Sequence, residues 1–117
     1  MTTTTDYRTR AMTEEQLQSA VLACARALGY QTFHAWLSLH STAGFPDAVC
    51  VGHGRLYLFE FKSAKGKLTP EQEAWGAALA AVGGPVAYRV VRPSDWLSGR
   101  TEALLRGEEE GSSTSAG

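Results

Sequence analysis

Four side chains in this 117-residue sequence are of types that could do chemistry together: Glu14, Asp47, Glu60 and Lys62. Asp47 follows Pro46, and only Phe61 separates Glu60 from Lys62. On a β-strand, residues two apart project from the same face, so Glu60 and Lys62 would stand side by side. A carboxylate and an ammonium on a covered strand are expensive to bury without a partner or a cation. Three carboxylates gathered from three separate elements would make an all-oxygen donor set, suited to a hard divalent cation such as Mg2+. Each residue alone has a plainer explanation. Glu60 and Lys62 can be a cross-strand ion pair, and Asp47 can be a turn residue after proline.

The elements that would have to bring these groups together are marked by clear punctuation. Thr13 followed by Gln16 forms a capping box and opens a helix that Gly29 closes. Leu17, Ala20, Val21, Cys24 and Leu28 recur on it at helical spacing as one apolar stripe. At about 100° per residue, with Leu17 at zero, Glu14 projects at roughly 60° and Glu15 at roughly 160°. Glu14 thus falls at the edge of the stripe and Glu15 faces water. Gln31–Leu37 reads as a strand, Ser38–Gly44 as a polar loop, and Pro46–Val51 as a short strand ending at the Gly52-His53-Gly54 turn. Arg55–Lys62 follows as its hairpin partner. Leu56, Leu58, Glu60 and Lys62 share one face of that strand, and Tyr57, Phe59 and Phe61 the other, which predicts a central strand covered on both sides.

After a basic loop, Ser63–Leu68, comes Thr69-Pro70-Glu71-Gln72, which combines an N-cap, proline at the first helical position and a capping-box glutamine. The helix it opens runs to about Val82 and stops at Gly83-Gly84-Pro85. Val86–Val91 is a strand, and Ser94 caps a last helix through about Leu105. The order predicts an α/β fold with an αβββαβ core, a mixed central sheet flanked by helices.

Composition narrows the function classes. The chain is 44% apolar and 20% charged, enough for one buried core. Residues 1–12 read as a flexible N-terminal segment, 13–106 as one domain, and 107–117 as a disordered acidic and Gly/Ser-rich tail. No apolar run is long enough to cross a membrane, and no secretory signal is evident. Cys24 and Cys50 lie in apolar segments and make no CxxC pair, which points to a reducing cytoplasm. The net charge is −1, but all 11 basic residues fall within 7–107 while four of the 12 acids lie outside it. That span carries about +3, which permits a nucleic-acid partner without requiring one.

Asp47 followed by Glu60-x-Lys62 on two paired strands resembles the PD-(D/E)xK nuclease superfamily. The longer string GFPDAV…GRLYLFEFKSAKGKLTPEQEAW…VVRPSDW is similar, more narrowly, to the virus-type replication-repair nuclease (VRR-NUC) family. The matching stretches are Glu14 with Leu17-Gln18, Gly44-Phe45-Pro46-Asp47, Glu60-Phe61-Lys62-Ser63, Lys65-Gly66-Lys67-Leu68 and Pro70-Glu71-Gln72. They span about Thr13 to Trp96. Two departures are Cys50 in the strand after Asp47, and Phe61 where leucine is more usual.

The resemblance implies a restriction-endonuclease-like core and hydrolysis of DNA phosphodiester bonds. It implies that Asp47, Glu60 and the Phe61 carbonyl hold Mg2+ or Mn2+, with Glu14 ligating directly or through water. Lys62 would orient and help deprotonate the attacking water, or neutralise charge on the pentacovalent phosphate, and Gln72 would fix Lys62 or that water at the rim. A phosphodiester is anionic, so attack on it needs positive charge to offset what develops. Lys65, Lys67, Arg89 and Arg92 would contact flanking phosphates, and His40 the substrate strand. Stand-alone members of the family imply a homodimer that cuts branched DNA such as four-way junctions. A bacterial or phage-encoded cytoplasmic enzyme with no small-molecule cofactor is the corresponding expectation. The rival expectation is a catalytically silent or partner-dependent nucleic-acid-binding module of a phage or defence complex.

Overall fold

The structure, a computed structural model, describes residues 8–9, 11–34 and 42–108. His40, Trp36, the end of the first expected strand, eight of the twelve residues of the N-terminal segment and nine of the eleven of the tail lie outside these residues. The elements run α1 (Glu14–Ala27), β1 (Gln31–His34), β2 (Ala48–Gly52), β3 (Arg55–Phe61), α2 (Pro70–Ala80), β4 (Val86–Val91), α3 (Pro93–Leu97) and α4 (Arg100–Leu105). The fold is α/β, with a four-stranded mixed sheet of order β1-β2-β3-β4 flanked by helices. No helix among the described residues is long and apolar enough to cross a membrane.

Both capping boxes form. The Thr13 hydroxyl accepts from the Gln16 N–H at 3.0 Å, and the Gln16 side chain accepts from the Thr13 N–H at 3.0 Å. Thr69 and Gln72 make the same reciprocal pair at 3.1 and 2.9 Å. Each box satisfies two helix-end donors and so fixes where its helix begins.

β1 and β2 pair antiparallel, as do β2 and β3, whereas β3 and β4 run parallel. Gly52 pairs with Arg55 across a two-residue turn whose central residues, His53 and Gly54, have φ of 53° and 73°. Positive φ at both centres is the type I′ geometry that suits strand twist. A second glycine turn, Gly83-Gly84, joins α2 to β4, and a Cβ at either position would meet nothing within 4 Å.

One face of the sheet carries the main core. Tyr57, Phe59 and Phe61 of β3 with Ala48 and Cys50 of β2 pack under α1 and against Leu105 of α4. The Tyr30 and Tyr57 hydroxyls donate to the Leu105 and Leu104 carbonyls at 2.6 and 3.1 Å, tying α4 down. α1 is rotated from its expected setting. Leu17, Val21, Leu22 and Ala25 are buried, while Ala20, Cys24 and Leu28 are only half-buried. Leu22 and Ala25 lie at roughly 140° and 80° on the helical wheel. The buried face therefore centres near the direction of Glu14, because Leu22 brings more apolar surface than Ala20 and small Ala25 allows close approach.

α2 covers the other face, over β3 and β4. Gly76 is its buried point, with the Tyr88 ring passing beneath: a Cβ there would come within 2.6 Å of that ring. The start of α2 is braced by Phe45 edge-on to Trp75, with ring centroids 5.0 Å apart. Gly44, at φ 86°, lies so close that a Cβ would meet the Glu71 backbone at 2.5 Å. The single C-terminal helix expected from Ser94 is instead two. Asp95 reaches back to the Arg92 N–H at 2.8 Å and starts α3 at Pro93, and Gly99 at φ 88° breaks the run before α4.

Candidate metal centre

The parallel register brings the ends of β3 and β4 to one edge of the sheet, Phe61 beside Val91. The Lys62 N–H extends the ladder by donating to the Val91 carbonyl at 3.1 Å. At this edge β3 delivers Glu60, Phe61 and Lys62, and the residue before β2 delivers Asp47. Asp47 Oδ2 accepts from the Phe61 N–H at 2.8 Å, which sets its carboxyl against the end of β3. The α2 capping box serves the site as well, because Gln72 has a donor to spare. Its Nε2 donates to Glu60 Oε2 at 2.9 Å.

Glu60 is 2% exposed, and its Oε1 is buried with no hydrogen-bond donor. Burial, then the neighbouring Asp47 charge and the hydrogen bond between the two carboxyls, push Glu60 up to about 8. Burial also raises Asp47, against the Phe61 N–H and the Glu60 hydrogen bond, which favour its ionised form. Both carboxyls are thus pushed toward their neutral forms, Glu60 the further of the two. Lys62 opposes both shifts, so its charge is felt at the pair. A buried oxygen without a donor beside a second carboxyl is short of positive charge, and a cation would satisfy it as well as the proton does.

Glu14 approaches from the opposite side of the sheet edge. Its Oε2 accepts from the Ser63 N–H at 3.3 Å, and its charge raises both buried acids. The expected meeting of three acids is thus only partly realised: Asp47 and Glu60 touch, while Glu14 stands across the Ser63 amide. Among the described residues no three His, Cys, Asp or Glu side chains are close enough to form one metal-holding group. The Phe61 carbonyl, proposed as a further ligand, belongs to the same strand end. The simple ion-pair reading of Glu60 and Lys62 fails among the described residues, where the salt bridges are Arg100–Asp95 and Arg106–Glu102.

Lys65 and Lys67 are exposed on the loop beyond Lys62. Arg89 is elsewhere. It pairs with Phe59, on the α1 side of the sheet, and lines a cavity with Asp95, Arg100 and Thr101. Arg92 is at the site edge, but its Nη1 donates to the Ser63 and Gly66 carbonyls at 2.8 Å each. Sequence reasoning missed this contact, and it missed Tyr88, whose hydroxyl is buried without a partner. Burial and then the Glu60 and Asp47 charges raise that phenol. The signals were present: Gly76 in an alanine-rich helix marks close approach, and Arg92 directly follows a strand parallel to β3.

No protein-family model matches the chain, nor does any curated protein or solved structure.

Proposed function

We propose that the protein is a metal-dependent endonuclease that hydrolyses DNA phosphodiester bonds. The observation that carries this reading is the contact of Asp47 with Glu60 at the end of β3, with a buried Glu60 oxygen lacking a donor and Lys62 adjacent. The order αβββαβ and the mixed sheet support a restriction-endonuclease-like core, and the spaced motifs from Glu14 to Gln72 support the VRR-NUC resemblance.

The residues present fit a hard divalent cation. All donors are oxygens, and burial together with the mutual repulsion of the two acids raises both, which a cation between them would offset. Asp47, Glu60 and the Phe61 carbonyl would hold Mg2+ or Mn2+, with Glu14 reaching it directly or through water. Such an ion lowers the pKa of bound water and offsets charge on the phosphate. The chain's own groups supply the rest. The Phe61 N–H fixes Asp47, and Gln72 fixes Glu60, so neither carboxyl must reorganise when substrate arrives. Lys62 presents an ammonium to the attacking water and the phosphate oxygens. Lys65 and Lys67 meet neighbouring phosphates. On this reading the substrate is branched DNA, and a homodimer presents two such sites to two strands.

The test is cleavage of labelled four-way junction, flap and linear duplex by purified protein, with and without Mg2+. Mg2+-dependent cleavage of at least one substrate is expected. Lys62→Ala should lower the rate by about a hundredfold or more while leaving the fold intact. A folded protein that binds DNA but cuts none would favour the silent binding module instead.

A further inference from the structure

We propose that Arg92 is a positioning residue, a clasp that holds the loop carrying Lys62, Lys65 and Lys67 onto the acidic site, and is not a phosphate contact. This rests on the endonuclease reading for its catalytic consequence, but not for its structural core.

Nη1 of Arg92 donates to two carbonyls of one loop, Ser63 and Gly66, at 2.8 Å each. Hydrogen bonds from a charged donor are roughly twice as strong as neutral ones, and one nitrogen closing two carbonyls draws both ends of the turn to a single point. The turn is further closed by the Gly66 N–H on the Ser63 carbonyl at 3.3 Å and by the Ser63 N–H on Glu14 at 3.3 Å. Gly66 lies inside this ring. A Cβ on it would sit 3.0 Å from Ser63 Oγ, 3.4 Å from Glu14 Oε2 and 3.5 Å from Lys62 Cδ. The Lys62 stem therefore rests against the segment that Arg92 anchors. Two residues deliver the ends of parallel neighbours, Lys62 from β3 and Arg92 from β4, and the loop between them is folded back by the second onto the first. Without the clasp, the Lys62 stem loses one wall, while the exposed Lys65 and Lys67 stay free to meet phosphates, so positioning is lost and binding charge is kept.

Arg92→Met keeps the side-chain stem and removes the donors. Its backbone N–H, which Asp95 accepts in starting α3, is untouched. Two readouts separate the proposal from its alternatives. The first needs no DNA: limited trypsin digestion at Lys65 and Lys67 under native conditions should accelerate about tenfold in Arg92→Met. Val21→Ala, which weakens the core far from the loop, should not reproduce that at a matched loss of Tm. Unchanged cleavage at the two lysines overturns the clasp whether or not the protein is a nuclease. The second is the salt dependence of DNA binding. Loss of a phosphate contact lowers the slope of log K against log salt by about 0.9, so an unchanged slope with kcat reduced about tenfold is expected. A slope lowered by that amount makes Arg92 a phosphate ligand and overturns the proposal. An accelerated loop in a protein that cuts nothing supports the clasp while sinking the endonuclease reading.

Discussion

Glu60 holds a proton that a solvent-exposed glutamate gives up near its ordinary value of 4.5, because burial and Asp47 carry it to about 8. A carboxyl whose pKa is raised by folding stabilises the protein fully below the unfolded value. That contribution is lost as pH rises through the folded one. In EDTA, stability against urea should therefore fall between about pH 4.5 and 8, Asp47 adding to the same trend. Glu60→Gln keeps the Gln72 contact geometry without the ionisation, so it should flatten this slope and gain on the parent at pH 8. A variant with the parent's pH profile would mean that Glu60 titrates normally. At this scale the sequence was most legible where chemistry is local. Asp47, Glu60, Lys62 and Gln72 were readable because each is tied to a strand end or a cap. Arg92 and Tyr88 were not, since their roles come from neighbours in the sheet that are distant in the chain.

Elements were legible in the same uneven way. The capping boxes at Thr13 and Thr69 and the turn at His53-Gly54 are decided within four residues, and they appear where the sequence places them. The azimuth of α1 was not decided locally. Ala20 and Leu22 compete for the sheet, and only packing against Phe59 and Phe61 favours the larger one. Ser98-Gly99 marks the break, but the pattern from Ser94 to Leu105 reads as one helix because a single glycine is tolerated within one. α2 yields a prediction that runs against propensity. Alanine in place of a mid-helix glycine ordinarily gains about 1 kcal/mol. At Gly76 the new Cβ would lie 2.6 Å from the Tyr88 ring, and overpacking costs about 1–3 kcal/mol. Gly76→Ala should therefore lower stability in urea by about 1 kcal/mol, and a gain would show that α2 does not press on Tyr88.

For the whole molecule, the proposed cation site would link folding to ion binding. A ligand that binds only the folded chain at a hundred times its Kd adds about 2.7 kcal/mol, roughly 10 °C in Tm for a domain of this size. Mg2+ should raise Tm by up to that much, more at pH 8 than at pH 6 because it competes with the proton on Glu60. Asp47→Asn should abolish the shift. An equal shift in that variant would place the ion elsewhere. The Gly83-Gly84 turn lies at the other end of β4, five register pairs from the site and so roughly 16 Å away. Open space around both glycines makes it a point where a fluorophore, an immobilising tether or a few inserted residues can be carried. The sheet edge that carries Asp47 and Glu60 would then stay free for single-molecule observation.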